Sequence, residues 1–266
     1  MMFNLTVAVL DTDFYALQSI ANYLALDRRT RVVCTAETRE ELLGYLDGAT
    51  EVELPGAILL DADHAGTPEE LGLFLRQLHE RVPGTMILCL AQSVDPDLLL
   101  AAARAGARGY LLKQDLRLQI SWAIIFALEH DFVITPGVHG AALDLFDGRL
   151  FRATVLPAPR QYPELTDRIR EAIRLCVVEG MPAQLAADEM GISPHTVRSY
   201  IKEGYRILES CNDLEFPVDM TAQERAFYRF TMPEGWQGDI LARQRAAPQR
   251  RGMAAPAPKV SQVSGS

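Results

Sequence analysis

Apolar residues fall along the chain in two rhythms. Over the first half, short unbroken apolar runs recur at residues 7–10, 32–34, 57–60, 86–90 and 110–112. Runs of this length without polar alternation are the pattern of strands buried on both faces. Between them lie amphipathic segments with helix-opening signals. Thr38 with Glu41 and Thr67-Pro68 with Glu70 have capping-box spacing, and Asp95-Pro96 opens another helix. Strand and helix alternate five times. That predicts a doubly wound parallel sheet of five strands over residues 1–130, covered on both faces.

The second half changes period. Ile169, Ala172, Ile173, Cys176 and Val177 mark one buried face of a helix over 167–178. A second helix, a tight turn and a third helix follow over 183–208. Ala187 is small where two helices must cross. Gly191 supplies the turn, Ser193 can cap the next helix, Pro194 fits its first position, and Val197 points back at the preceding helix. This is helix-turn-helix spacing, whose usual work is to lay the second helix in the DNA major groove. On that helix Arg198, Ser199 and Lys202 share the exposed face, with Arg206 continuing the stripe. His195 and Thr196 stand in its first turn, where side chains and free backbone N–H groups reach phosphate. Arg198 has the bidentate geometry that suits a guanine edge.

Charge qualifies this picture. The 266 residues carry 26 Lys and Arg against 35 Asp and Glu, for a net charge of −9. Residues 1–130 hold ten basic against eighteen acidic side chains, so the first half carries nearly all of the excess. Residues 161–211 hold six basic against eight acidic ones. Strong non-specific DNA binders are basic. The module therefore suits a weak monomer that gains affinity by dimerising on two half-sites, or a protein-binding adaptor without DNA readout. No run of about 18 apolar residues and no basic-then-apolar leader is present, so a cytoplasmic protein is expected. Cys34, Cys89, Cys176 and Cys211 are widely spaced, which is reduced usage rather than a disulfide or zinc framework. No nucleophile–base pair or cofactor loop suggests an enzyme.

These motifs carry a resemblance. Residues 180–208 are similar to the LuxR-type helix-turn-helix that ends response regulators of the NarL/FixJ family. The strand ends carry Asp11, Asp61 and Lys113, and together with residues 105–113 they resemble the receiver domain of two-component signalling, a flavodoxin-like fold. The resemblance implies that Asp61 accepts a phosphoryl group from a sensor histidine kinase. It implies that Lys113 holds a phosphoryl oxygen, that Tyr110 is the switch aromatic, and that Asp11, Asp13 and Asp61 hold Mg²⁺. Metal and lysine would together neutralise charge on the moving group. The chain departs from the family at four places. Thr12 replaces the second acid after the first strand, which leaves Asp13 as the substitute. Ala91 replaces the switch hydroxyl at the end of the fourth strand. The start motif reads Leu165-Thr166-Asp167-Arg168-Ile169, without the usual acid. Gly204 stands where the family has an apolar residue, and glycine there predicts that the helix bends or ends early.

The expected function is a promoter-binding transcription regulator, active as a homodimer, with a weakened or absent phospho-switch and constitutive or partner-controlled dimerisation. The alternatives are a conventional regulator phosphorylated on Asp61 and the adaptor named above. Residues 131–164 read as a connector, with a short helix to Phe146 and a linker stiffened by Pro157, Pro159 and Pro163. The helix-turn-helix unit spans 165–211. An extension over 212–242 contains a helix capped by Thr221 and Glu224. Residues 243–266 read as a disordered basic arm.

Overall fold

The computed structural model describes residues 4–211 and 214–236. The basic arm expected over 243–266 lies outside the described residues. The first half builds β1 (Leu5–Leu10), α1 (Phe14–Ala25), β2 (Thr30–Ala36), α2 (Arg39–Gly48), β3 (Ala57–Asp61), α3 (Pro68–Arg81), β4 (Met86–Ala91), α4 (Pro96–Arg104), β5 (Gly109–Leu112), α5 (Lys113–Leu116) and α6 (Ile120–Ala127). The expected caps form. Thr67 and Glu70 make a complete capping box, Thr38 accepts from the Glu41 N–H, and the Asp95 carboxylate caps α4.

The sheet has seven strands rather than five. Its order is β2-β1-β3-β4-β5-β6-β7, and every pairing is parallel. The two additional strands, β6 (Val133–Ile134) and β7 (Thr154–Val155), come from the segment expected to be a connector. Between them the chain forms α7 (His139–Asp144) and α8 (Gly148–Phe151), which pack beside α4. Two strands of two residues each give little sequence periodicity to detect. What admits them is Gly109: a Cβ at that position would stand 2.5 Å from the Val133 carbonyl oxygen. Only a residue without a side chain lets β6 approach β5 there.

Alternate strand residues feed two cores. Ala8, Leu10, Ile58, Leu60, Ile87, Cys89 and Tyr110 face α2, α3 and α4. Val7, Val9, Leu59, Leu88, Leu90 and Leu111 face α1 and α6. This second core does not stop at the first half. It continues without a break into Ile169, Ile173, Val177, Ile207 and Leu208, and into Ala226, Phe227 and Tyr228 of the extension.

The second half is helical: α9 (Asp167–Ile173), α10 (Ala183–Met190), α11 (Pro194–Ser210) and α12 (Ala222–Thr231). The helix begun by α9 continues over Arg174–Val178 as a wide π turn. The helix-turn-helix keeps a small core of its own, formed by Ala172, Leu175, Ala186, Ala187, Met190 and Val197. The expected linker is tied down rather than free. Tyr162 and Leu165 are buried, the Arg160 N–H donates to the Met232 carbonyl at 2.8 Å, and the Glu234 N–H donates to Ala158 at 2.7 Å.

Candidate functional site

The turn before α11 forms as its residues require. Gly191 ends α10 in the left-handed region at φ 65°, where a side chain is strained. Ser193 Oγ accepts the Thr196 N–H at 3.1 Å, and Pro194 takes the first helical position. Val197 is fully buried against Ala187 and Met190, which fixes the rotation of α11 about its axis. The opposite face then looks outward. His195, Arg198, Ser199, Lys202 and Arg206 are exposed, and Thr196 is half-buried.

These side chains are in different states. Neither Arg198 nor Lys202 makes an ion pair with a described residue. Arg206 is held by Glu203 through two bonds, Nε to Oε2 at 2.9 Å and Nη2 to Oε1 at 2.6 Å. Ser199 Oγ donates to the His195 carbonyl, and Thr196 Oγ1 lies 2.8 Å from Ser193 Oγ.

α11 runs unbroken through Gly204 to Ser210, so the expected early end is absent. The cause is tertiary. A Cβ on Gly204 would stand 2.7 Å from Ile173 Cδ1 and 3.2 Å from Ile169 Cγ2. Glycine lets α9 and α11 cross at close range.

A second site lies at the carboxyl ends of β1, β3 and β5. Lys113 Nζ bridges two buried carboxylates, 2.6 Å from Asp11 Oδ2 and 3.1 Å from Asp61 Oδ1. Burial works against the lysine's charge, but these two carboxylates outweigh it and raise its pKa above the ordinary value. The other Asp61 oxygen, Oδ2, lies 2.6 Å from His64 Nδ1, a contact the sequence analysis missed. A histidine three residues beyond a strand-end acid is its only signal in sequence.

Asp13 does not join this pair. Its carboxylate caps α1, accepting the Tyr15 and Ala16 N–H groups at 2.8 and 3.1 Å, and only its backbone N–H reaches Asp11. Thr12 is exposed, and Asp63 accepts the Gln92 N–H at 2.5 Å. Tyr110 is wholly buried. Its hydroxyl faces the Asp95 N–H without completing a hydrogen bond, and burial followed by the nearby Asp63 charge raises its pKa. Ala91 closes β4 with no hydroxyl to offer.

The chain joins a receiver-like α/β domain to a helix-turn-helix, the arrangement expected from its resemblance to NarL/FixJ-type response regulators. Residues 162–208 match the family model for Sigma-70, region 4. The chain is 28% identical over 211 residues to the transcriptional regulatory protein UhpA of Salmonella typhimurium, covering 79% of this chain and 95% of that one. The Escherichia coli UhpA is 27% identical over the same shares. Among solved structures, an RcsB response regulator of Salmonella typhimurium matches at 19% identity with a TM-score of 0.46, over 78% of this chain and 93% of that one. A response regulator from Thermotoga maritima matches at 25% identity with a TM-score of 0.39, over 47% and 96%.

Proposed function

We infer that this chain is a DNA-binding transcription regulator of the response-regulator type. Its helix-turn-helix unit over 165–211 reads promoter DNA, and its receiver-like half mediates homodimerisation with little or no phospho-switch. One observation carries the DNA reading. Arg198 and Lys202 stand exposed on the outward face of a capped helix whose other face is locked into the core, and neither is ion-paired with a described residue. Unpaired cations on a rigid element are ready to meet phosphate and base edges without first breaking an ion pair. Arg206 is the weaker candidate, because Glu203 already holds it.

The weakened switch rests on the geometry around Asp61. Asp13 is committed to capping α1, so two carboxylates remain, and the Lys113 ammonium stands between them. A Mg²⁺ ion, held by one or two carboxylates together with water, would have to displace the Lys113 ammonium from Asp11 and Asp61 to bind there. Both oxygens of Asp61 are engaged, and Ala91 offers no hydroxyl to follow a change at Asp61. A second reading, conventional phosphorylation by a sensor kinase, draws on the Lys113–Asp61 contact, the pairing that would stabilise a phosphoryl oxygen.

Gel shift at varied salt on the DNA upstream of the chain's own gene tests the first reading. Arg198→Ala and Lys202→Ala are each expected to weaken binding by about 1–3 kcal/mol with unchanged melting temperature. Arg206→Ala is expected to cost less. No shift at low salt would favour the protein-binding adaptor. Label uptake from a small-molecule phosphodonor separates the other two readings: robust uptake, lost in Asp61→Asn and tightening DNA binding, would refute the weakened switch.

A further inference from the structure

A cavity of about 550 Å³ opens where the two halves and the extension meet. Its walls come from five places in the chain. Tyr23 lies on α1, Leu118 and Gln119 just before α6, Gln161 in the linker, Arg170 and Arg174 on the first helix of the second half, and Phe230 near the end of α12. The volume lies within the range of about 300–1,000 Å³ usual for small-molecule sites, which favour domain junctions.

On a chain of net charge −9, the cavity's lining carries Arg160, Arg170 and Arg174 against Asp115 and Glu179. Asp115 accepts the Gly137 N–H at 3.0 Å. Arg174 pairs with Glu179, and its Nη2 lies 4.0 Å from Glu189, so its charge is already answered and Arg170 carries the uncommitted one. Arg170 binds the Tyr162 and Leu165 carbonyls, at 3.2 Å each, through Nη2 alone. Its Nε and Nη1 have no partner among the described residues.

The π turn shapes the wall. In an α-helix each residue turns about 100°, so positions five apart face directions about 140° apart. Here the Glu179 N–H bonds the Arg174 carbonyl at 3.0 Å, five residues back. The wider turn brings both side chains to the same cavity wall. Such turns are rare and recur at functional sites. Tyr23 also lines the cavity and packs on the apolar core.

We propose that this junction cavity binds a small organic anion with an apolar body, its carboxylate, sulfonate or phosphate end on Arg170 and its body against Leu118 and Phe230. The occupant touches both halves and the extension at once, so binding favours the assembled arrangement over a separated one. The site stands whether or not α11 reads DNA.

Fluorescence titration of the full chain with anilinonaphthalene sulfonate, an anionic aromatic dye, tests the site. One saturable site is expected. Arg170→Gln removes a charge-assisted contact and should weaken binding about tenfold or more. Gln161→Trp should weaken it comparably by filling the mouth, and the remote Arg152→Gln should leave it unchanged. Phenylnaphthylamine, the uncharged counterpart, should bind the wild-type chain about tenfold more weakly, a comparison that needs no variant. Absence of a saturable site, a site that neither Arg170→Gln nor Gln161→Trp weakens in chains of unchanged melting temperature, or equal binding of the uncharged dye would overturn the proposal.

Discussion

Gly204 shows how one residue can mean opposite things alone and in place. In isolation a glycine in mid-helix costs about 1 kcal/mol relative to alanine, so Gly204→Ala should stabilise α11. In the folded chain the new methyl would meet the fully buried Ile173 at 2.7 Å. Overpacking of this kind costs about 1–3 kcal/mol. We therefore expect Gly204→Ala to lower the urea midpoint, and a midpoint equal to or above the parent's would show that Ile173 yields without strain. Lys113 is a second residue-scale case. Replacing it with Met would leave two buried carboxylates facing each other across the gap it bridges. Lys113→Met should destabilise by about 3–5 kcal/mol, the range for breaking a buried pair, whereas the double replacement of Asp11 and Lys113 by apolar residues should recover part of that loss.

At the scale of elements, α12 decides how the halves are joined. Thr221 and Glu224 form the expected capping box, and Ala226 and Phe227 are buried. The sequence did not show what the helix grips. Tyr228 donates to Asp27 Oδ1 at 2.7 Å and accepts the Arg28 N–H at 3.0 Å. Asp27 is paired with the fully buried Arg29, whose guanidinium stacks 3.8 Å from the Trp122 ring centroid. On the rim, Arg28 binds Glu224 at 2.6 Å and Asp219 at 2.8 Å. On the other side of α12, Arg225 binds Glu209 at the end of α11 at 2.7 Å. The helix thus fastens α11 to the receiver-like half. Tyr228→Phe removes one donor from a buried carboxylate and one acceptor from a backbone N–H, and should cost about 1–3 kcal/mol in a denaturant titration. Thr221→Ala should cost about 1 kcal/mol.

Over the whole molecule, one apolar core spans the sheet face, the helix-turn-helix and α12. The described chain should therefore unfold in a single thermal transition, and two separated transitions by calorimetry would contradict that coupling. The junction is also acid-sensitive. Burial alone would raise the Glu224 pKa, but bonds from Thr221 and Arg28 outweigh it and hold it below the ordinary 4.5. A carboxyl depressed in the folded state contributes stability above its unfolded pKa, lost as pH falls through the folded value. Stability of the joined halves should accordingly be flat above about pH 5 and fall below pH 4.5, with Glu224→Gln flattening part of that fall. No described helix is long and apolar enough to cross a membrane.

Local chemistry determined what local chemistry controls. Unbroken apolar runs placed five strands, cap residues placed the helix starts, and Gly191-Ile192-Ser193-Pro194 fixed the turn and the outward face of α11, because each depends on residues within a few positions of one another. Tertiary structure decided the rest. β6 and β7 exist because Gly109 lets a distant backbone approach, and α11 runs on past Gly204 because α9 crosses there. Asp27, about 200 residues before Tyr228, waits for α12. None of these pairings has a sequence period, since contacts between residues far apart in the chain are selected by packing and charge satisfaction in the finished fold.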